Sequence, residues 1–192
     1  RYRASCPRSA ARAALARQGI ISDDVRETSD HLAVIRWAGA HAPDALSVVE
    51  ATCIEAEVEA ARTSLPTAGA HELITRLDDA GVPVVIVTNN AAGAALAYLD
   101  RLGLLHRVRH VVGRPERRPD HMKPNTHMVE EALRIASAAA TEAVLMGDSV
   151  SDVQVAHAAG VHVIGHAKNP RRGQELRAAD ADALTESIDR LY

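Results

Sequence analysis

Hydrophobic positions recur three or four residues apart through the first third of the chain, then gather into short unbroken runs. SAARAALARQG is Ala-rich and ends at Gly19, which predicts a helix with a glycine stop. Ser29 or Asp30 is placed to cap a helix through HLAVIRWAGAH, broken near Pro43. A longer helix is predicted from about Asp44 to Arg62, with Val48, Cys53, Ile54 and Val58 at helical spacing, until SLPTAG interrupts it. No segment before residue 82 reads as a buried strand.

After Pro66 the period changes. AHELITRLDDAG is an amphipathic helix, with Leu73, Ile74 and Leu77 on one face and Gly81 just past its end. VPVVIVT is a β-branched run of the kind buried on both faces in a parallel sheet. A helix (AALAYLDRLG), a strand (RVRHVVG), a loop, a helix (THMVEEALRIAS), a strand (EAVLMGD), a helix (DVQVAHAAG) and a last strand (VHVIGHA) follow. This alternation predicts βαβ units and an α/β fold with a doubly wound parallel sheet.

Composition adds boundaries. A chain of 192 residues is long enough for one α/β core and a modest second unit. With 2% aromatics and no Phe, the core must be filled by Leu, Val, Ile and Ala. A formal charge of -3 gives no reason to expect nucleic acid or an acidic membrane surface as partner, and the apolar runs are far too short to span a bilayer. Cys6 and Cys53 have no metal spacing and make no disulfide scaffold, so a reduced cytoplasmic setting is expected. Residues 1–15 carry four arginines but lack the apolar middle of a signal peptide, and a chain opening on Arg rather than Met hints at sequence upstream. The basic stretch Arg114 to Arg118 reads as a solvated turn.

Ligands of open α/β sheets bind beyond the carboxyl ends of the strands, which directs attention to the polar residues there. VVIVT ends in Thr88, Asn89 and Asn90, which offer a hydroxyl, an amide and backbone N–H groups; the pattern fits an anion site or a simple turn. EAVLMGD ends in Asp148, followed by Ser149 and by Asp152 in the first turn of the next helix. Two carboxylates facing one point above the sheet suit a Mg²⁺ ion that keeps several waters and also binds phosphate, whereas the plainer reading has Ser149 or Asp152 capping the helix. Lys123, in HMKPNTHM, by itself reads as solvated, with Pro124 initiating the helix.

The order is more specific than its parts. Thr at one strand end, Lys before a helix and a carboxylate pair at a later strand end resemble motifs two, three and four of the haloacid dehalogenase superfamily. The resemblance covers about residues 65–168, through LITRLDDAGVPVVIVTNN, MKPNTHMVEEAL and GDSVSD followed by AAGV. It implies a phosphatase-type hydrolase in which Thr88, with Asn89 beside it, hydrogen-bonds the transferring phosphoryl group and Lys123 neutralises charge on phosphate and nucleophile. Asp148 and Asp152 hold Mg²⁺ in that reading. Residues 1–66 stand where the family inserts an α-helical cap that helps choose the substrate, and residues 67–192 form the core. Trp37, His41 and Glu50 fit substrate-choosing cap positions and ordinary packing equally; Arg114, Lys168 and Asn169 read as surface loop residues.

The family's first motif is an apolar strand ending in Asp-x-Asp. Its first Asp attacks phosphorus to form an aspartyl-phosphate and its second acts as general acid and base. Nothing in the first 80 residues matches it; the nearest segment, GIISDDV, reads as a helix capped by Ser22 or Asp23. The missing strand belongs centrally, between the strand ending in Thr88 and that ending in Asp148. With strands spaced about 4.8 Å apart, a gap two spacings wide is expected there. Arg1 to Ser5 is too short and polar to fill it. The expected function is Mg²⁺-dependent hydrolysis of a small phosphorylated metabolite by a protein that continues upstream. The alternative is a non-catalytic remnant or interaction module. A receiver-type signalling domain fits less well, because there the acidic residues come first. A true dehalogenase fits less well because GDSVSD suits phosphate chemistry. The sequence names neither the substrate nor the oligomeric state, and leaves phosphatase and phosphomutase unseparated.

Overall fold

A computed structural model of the chain describes residues 7–20, 22–28 and 30–192. Cys6, Ile21, Ser29 and the stretch before Pro7 lie outside the described residues, and with them the proposed cap at Ser29. The chain divides into two compact units that are not single stretches of sequence. The first contains the N-terminal helices as far as Ser64, together with Thr88–Leu102 and Gly113–Met122. The second contains Leu65–Val87, Gly103–Val112 and Lys123–Tyr192.

The first unit is helical: α1 (Pro7–Arg17), α2 (Asp23–Arg26), α3 (His31–His41), α4 (Pro43–Thr63) and α6 (Ala92–Arg101). Ser22 caps α2 by accepting from the Asp24 amide, and Asp30 caps α3 by accepting from the Leu32 amide. Asp23 is therefore a helical surface residue. Helix α4 packs on α1, α3 and α6. Its buried stripe runs through Ala45, Leu46, Val49, Cys53 and Ala56, so Val48 faces outward instead of joining the core as its spacing suggests. Two glutamates, Glu50 and Glu57, lie on the buried side. Burial, reinforced by the Glu57 charge, pushes the Cys53 thiol up to about 12, so it behaves as a small apolar side chain. Gly39 lets the turn Pro119–His121 close onto α3, since a Cβ there would lie 2.4 Å from Pro119 Cγ.

The second unit carries all the strands found among the described residues, as two parallel sheets. β1 (Val85–Val87) pairs with β2 (His110–Val112), and β3 (Val144–Gly147) pairs with β4 (His162–His166), which pairs with β5 (Ala183–Thr185). The remaining helices are α5 (Ala70–Asp79), α7 (His127–Ala136), α8 (Val150–Ala158) and α9 (Pro170–Ala178). α7 covers β1 and β2, α8 covers β3 and β4, and α9 covers β4 and β5. The α/β architecture agrees with the sequence pattern, and so does the interruption: no ladder joins β1 to β3. β1 is half-buried, not enclosed on both faces, and among the described residues β2 is its strand partner. VHVIGHA is not the last strand either; α9 and β5 follow it.

Two apolar clusters hold this unit. Val153, Val155, Ala156, Val163 and Leu176 form one, with Val87 of β1 and Leu145 of β3 packed against it. Val112, Met128 and Ala132 form the other. Leu176 is fully buried and is the apolar anchor of the otherwise polar α9. Leu176→Ala should lower stability by about 2–5 kcal/mol, the cost of removing a buried Leu and leaving a cavity. Urea melts of parent and variant check this, and a change near zero would mean that α9 is not docked.

Candidate active site

The second unit brings two of the predicted residues into direct contact. β3 ends at Gly147, Asp148 follows, and Ser149 caps α8. The Ser149 hydroxyl and amide donate to Asp152 Oδ2 at 2.6 and 3.0 Å, while the Asp152 amide donates to Ser149 Oγ at 3.3 Å. The capping reading of Asp152 is thus correct for one carboxylate oxygen. The other oxygen, Oδ1, accepts from Lys123 Nζ at 2.6 Å. That ammonium also donates to the carbonyl of Val87, the last residue of β1, at 3.1 Å. Lys123 is 8% exposed and Asp152 is 6% exposed, so this is a buried ion pair and Lys123 is not the solvated lysine that its loop suggests. Gly147 permits the approach: a Cβ there would stand 2.4 Å from Asp152 Cβ. Pro124 does not initiate the helix; α7 starts three residues later, at His127.

Asp148 is different. Its carboxylate is half-exposed and accepts from Lys168 Nζ at 2.5 Å, so Lys168 is a surface residue with a specific partner. Asn169 caps α9, accepting from the Arg172 amide. Among the described residues no group of three or more His, Cys, Asp or Glu side chains is arranged to hold a metal ion.

Thr88 and Asn89 belong to the first unit, where they form a turn three residues ahead of α6. Thr88 Oγ1 accepts from the Asn90 amide at 3.1 Å. Accepting uses a lone pair and leaves the hydroxyl hydrogen available to donate elsewhere. The turn is fastened by residues that the sequence reading missed. Glu57 Oε2 accepts from the Ala91 amide at 2.8 Å, Arg114 Nη1 donates to the Asn89 carbonyl at 2.9 Å, and the Arg114 amide donates to the Asn90 carbonyl at 2.9 Å. Glu57 and Arg114 form a salt bridge at 2.9 Å with both side chains 2% exposed, and His31 Nε2 bonds Glu57 Oε1 at 2.9 Å. Arg114 is therefore a buried structural cation and not a surface loop residue, and the reading of Arg114 to Arg118 as a solvated turn holds for Arg117 and Arg118 only among its arginines. One signal was present: Glu50, Cys53 and Glu57 lie at i, i+3 and i+7, so two acids share the apolar face of α4 and require buried partners.

Trp37 donates from its ring nitrogen to Asp24 at 3.2 Å and stacks on His41, with centroids 5.1 Å apart. Glu50 accepts from the Arg117 amide at 2.9 Å, and burial pushes its carboxyl up.

The model of the haloacid dehalogenase-like hydrolases matches residues 18–166. The chain belongs to that family. It is similar to a phosphoglycolate phosphatase of Mesorhizobium japonicum, with 33% identity over 53% of this chain and 44% of the relative. A phosphoglycolate phosphatase of Rhodospirillum rubrum is 29% identical over 78% of this chain and 56% of that protein. The chain spans about half the length of the curated relatives it matches. Among solved structures, a mutant CbbY from Rhodobacter sphaeroides in complex with xylulose-(1,5)bisphosphate superimposes with a TM-score of 0.73 at 20% identity, covering 96% of this chain and 88% of that one. A predicted phosphatase from Clostridium acetobutylicum has a TM-score of 0.73 at 16% identity, covering 96% and 87%. At these identities the structural likeness shows the fold. Asp24 of GIISDDV is tied to Ser22 and Trp37 in a helical turn, and neither it nor Asp23 stands at the end of a strand.

The ion-pair network of the first unit is sensitive to acid. Burial pushes the Glu57 carboxyl up, but hydrogen bonds from His31 and Arg114 and the Arg114 charge outweigh it and hold the group below its ordinary value of 4.5. A carboxyl lowered in the folded state contributes stability that is complete above its unfolded pKa and is lost as pH falls through the folded one. The stability gap between the parent and Glu57→Gln should therefore be widest at neutral pH and close below about pH 4.5. Denaturant melts across roughly pH 3–7, the range of carboxylate titration, test this; a constant gap would contradict it.

Proposed function

We propose that this chain forms the phosphate- and metal-binding part of a Mg²⁺-dependent phosphohydrolase acting on a small phosphorylated metabolite. The observation that carries this reading is the buried Lys123–Asp152 pair, whose ammonium also holds the carbonyl preceding Thr88. A buried cation fixed at the carboxyl ends of parallel strands is preorganised for a phosphoryl group, and it needs no reorganisation when charge develops. Membership in the hydrolase family and the similarity to proteins named phosphoglycolate phosphatase point the same way.

The donor set suits Mg²⁺. Asp148 and Asp152 supply hard oxygens in small number, and Mg²⁺ binds through one or two carboxylates while keeping several waters. Asp148, half-exposed and paired with the surface Lys168, is the direct ligand in this reading; Asp152, already committed to Lys123 and Ser149, acts through water. Asp148 and Asp152 would hold the cation where it would supply Lewis-acid polarisation of a phosphoryl oxygen and offset its charge. Thr88 donates its hydroxyl to the phosphoryl group, Asn89 adds polar groups to the same turn, and Lys123 neutralises phosphate charge. The helices before Pro66 serve as the cap. Turnover proceeds through an aspartyl-phosphate on a carboxylate that is not among the described residues.

Phosphate release by the gene product that carries this chain tests the reading, over a panel of phosphomonoesters that includes phosphoglycolate and a sugar bisphosphate. Release should require Mg²⁺ and be lost in Asp148→Asn. Thr88→Val should cost roughly 10²-fold, the scale of one removed transition-state donor. Lys123→Ala should cost more, because a full charge is removed. No Mg²⁺-dependent release from any member of the panel would reject the assignment.

A further inference from the structure

We propose that Glu57 and Arg114 are positioning residues that hold the turn Thr88–Ala91 in its phosphate-binding shape. This inference rests on the assignment of Thr88 to phosphate. Three backbone groups after Thr88 are committed to these two residues: the Asn89 carbonyl to the Arg114 guanidinium, the Asn90 carbonyl to the Arg114 main-chain amide, and the Ala91 amide to the Glu57 carboxylate. The Thr88 hydroxyl takes the remaining inner amide, that of Asn90. The turn thus has no regular ladder of its own and owes its shape to two side chains and one main-chain amide from distant parts of the sequence.

The geometry is that of a clamp. Gly113, the residue before Arg114, has no room for a side chain, since a Cβ there would lie 2.3 Å from Ala92 N and 2.6 Å from Ala92 Cα. The main chain at Gly113–Arg114 therefore lies directly against the start of α6, and the Arg114 guanidinium reaches back to Asn89 and Glu57. Glu57 is anchored independently by His31, which fixes the carboxylate before it meets the turn. A buried ion pair is weak evidence of net stability, because desolvation offsets most of its attraction. Its geometric consequence is stronger: Arg114 is bidentate to its surroundings and Glu57 has both oxygens engaged, so neither can shift without leaving a buried charge or a backbone group unpaired.

Replacing both members with apolar side chains of similar volume separates positioning from folding, since such exchanges are often neutral for stability. Glu57→Leu/Arg114→Met should melt close to the parent. Hydrogen exchange of the Asn89–Ala91 amides should rise at least roughly tenfold, the effect of losing one ordinary hydrogen bond on a local opening equilibrium. Exchange in β4 should not change. Affinity for inorganic phosphate, followed by titration calorimetry, should fall by a similar factor. Glu57→Gln keeps an acceptor for the Ala91 amide and should restore most of the protection. If either Glu57→Leu/Arg114→Met or Glu57→Gln fails to fold, Arg114→Lys provides the comparison, with Asn89–Ala91 exchange again faster than in the parent.

Unchanged exchange at Asn89–Ala91 in a folded variant overturns the inference. So does faster exchange with unchanged phosphate affinity, because the pair would then be structural only. Failure of the underlying assignment looks different: Thr88→Val would bind phosphate as the parent does, or the parent would bind none. In the latter case the exchange comparison alone decides whether the pair shapes the turn.

Discussion

The arrangement of the second unit depends on one ammonium group. Lys123 Nζ touches the end of β1 through the Val87 carbonyl and the start of α8 through Asp152, although no backbone ladder connects the two sheets. Hydrogen bonds of a continuous sheet ordinarily fix the carboxyl ends of neighbouring strands in register. Here a side chain makes that connection, and it does so as a buried charge. Removing one member of such a pair leaves the other uncompensated, at a cost of about 3–5 kcal/mol. The loop from Lys123 to Thr126 and the first turn of α8 are consequently constrained together with β1.

The capping reading of the GDSVSD segment accounts for one oxygen of Asp152 and leaves the other for an ion pair: Oδ2 completes the cap of α8 with Ser149, and Oδ1 holds Lys123. A helix cap is a local and inexpensive way to immobilise a carboxylate, and Gly147 leaves the space that lets it lie against the strand end. Asp148, one residue past the strand, has no such fixation. Its pair with Lys168 is half-exposed on both sides, and pairs of that kind contribute about 0–1 kcal/mol. The fixed carboxylate and the adaptable one stand four residues apart. That division suits a site in which one charge is prearranged and the other accepts an incoming ligand.

What the sequence revealed followed from range. Alternating runs such as VPVVIVT and EAVLMGD and the helices between them are encoded within windows of ten residues or so, and they appear where expected. The strand end at Asp148 and the helix start at Asp152 were legible for the same reason, and among the described residues no ladder joins β1 to β3. α9 was missed because PRRGQELRA carries one large apolar side chain, Leu176, in a run of charged residues, and the three-residue β5 has no pattern to detect. Arg114 was misread because RPERR has the composition of a solvated turn. Its partner Glu57 is 57 residues away, and no local pattern can report a pairing at that distance. The buried face of α4 was displaced by one position, from Val48 to Val49, since an Ala-rich helix offers few large residues to mark its inner side.

The two buried ion pairs share a construction that explains why both survive desolvation. In each, the carboxylate also accepts a backbone amide: Asp152 from Ser149, and Glu57 from Ala91. In each, the cation also donates to a backbone carbonyl: Lys123 to Val87, and Arg114 to Asn89. Charge-assisted bonds to the main chain satisfy the lone pairs and protons that the partner leaves over, which offsets the transfer of both charges out of water. The same bonds convert a side-chain attraction into a restraint on backbone shape. Both pairs therefore act on turns that follow strands, where no ladder continues to define the chain. Such turns are where a parallel α/β fold presents its chemistry, and they need rigidity without the bulk of regular structure. Buried charge supplies it here, and it leaves the Thr88 hydroxyl and the Asp148 carboxylate less encumbered than the groups that hold them.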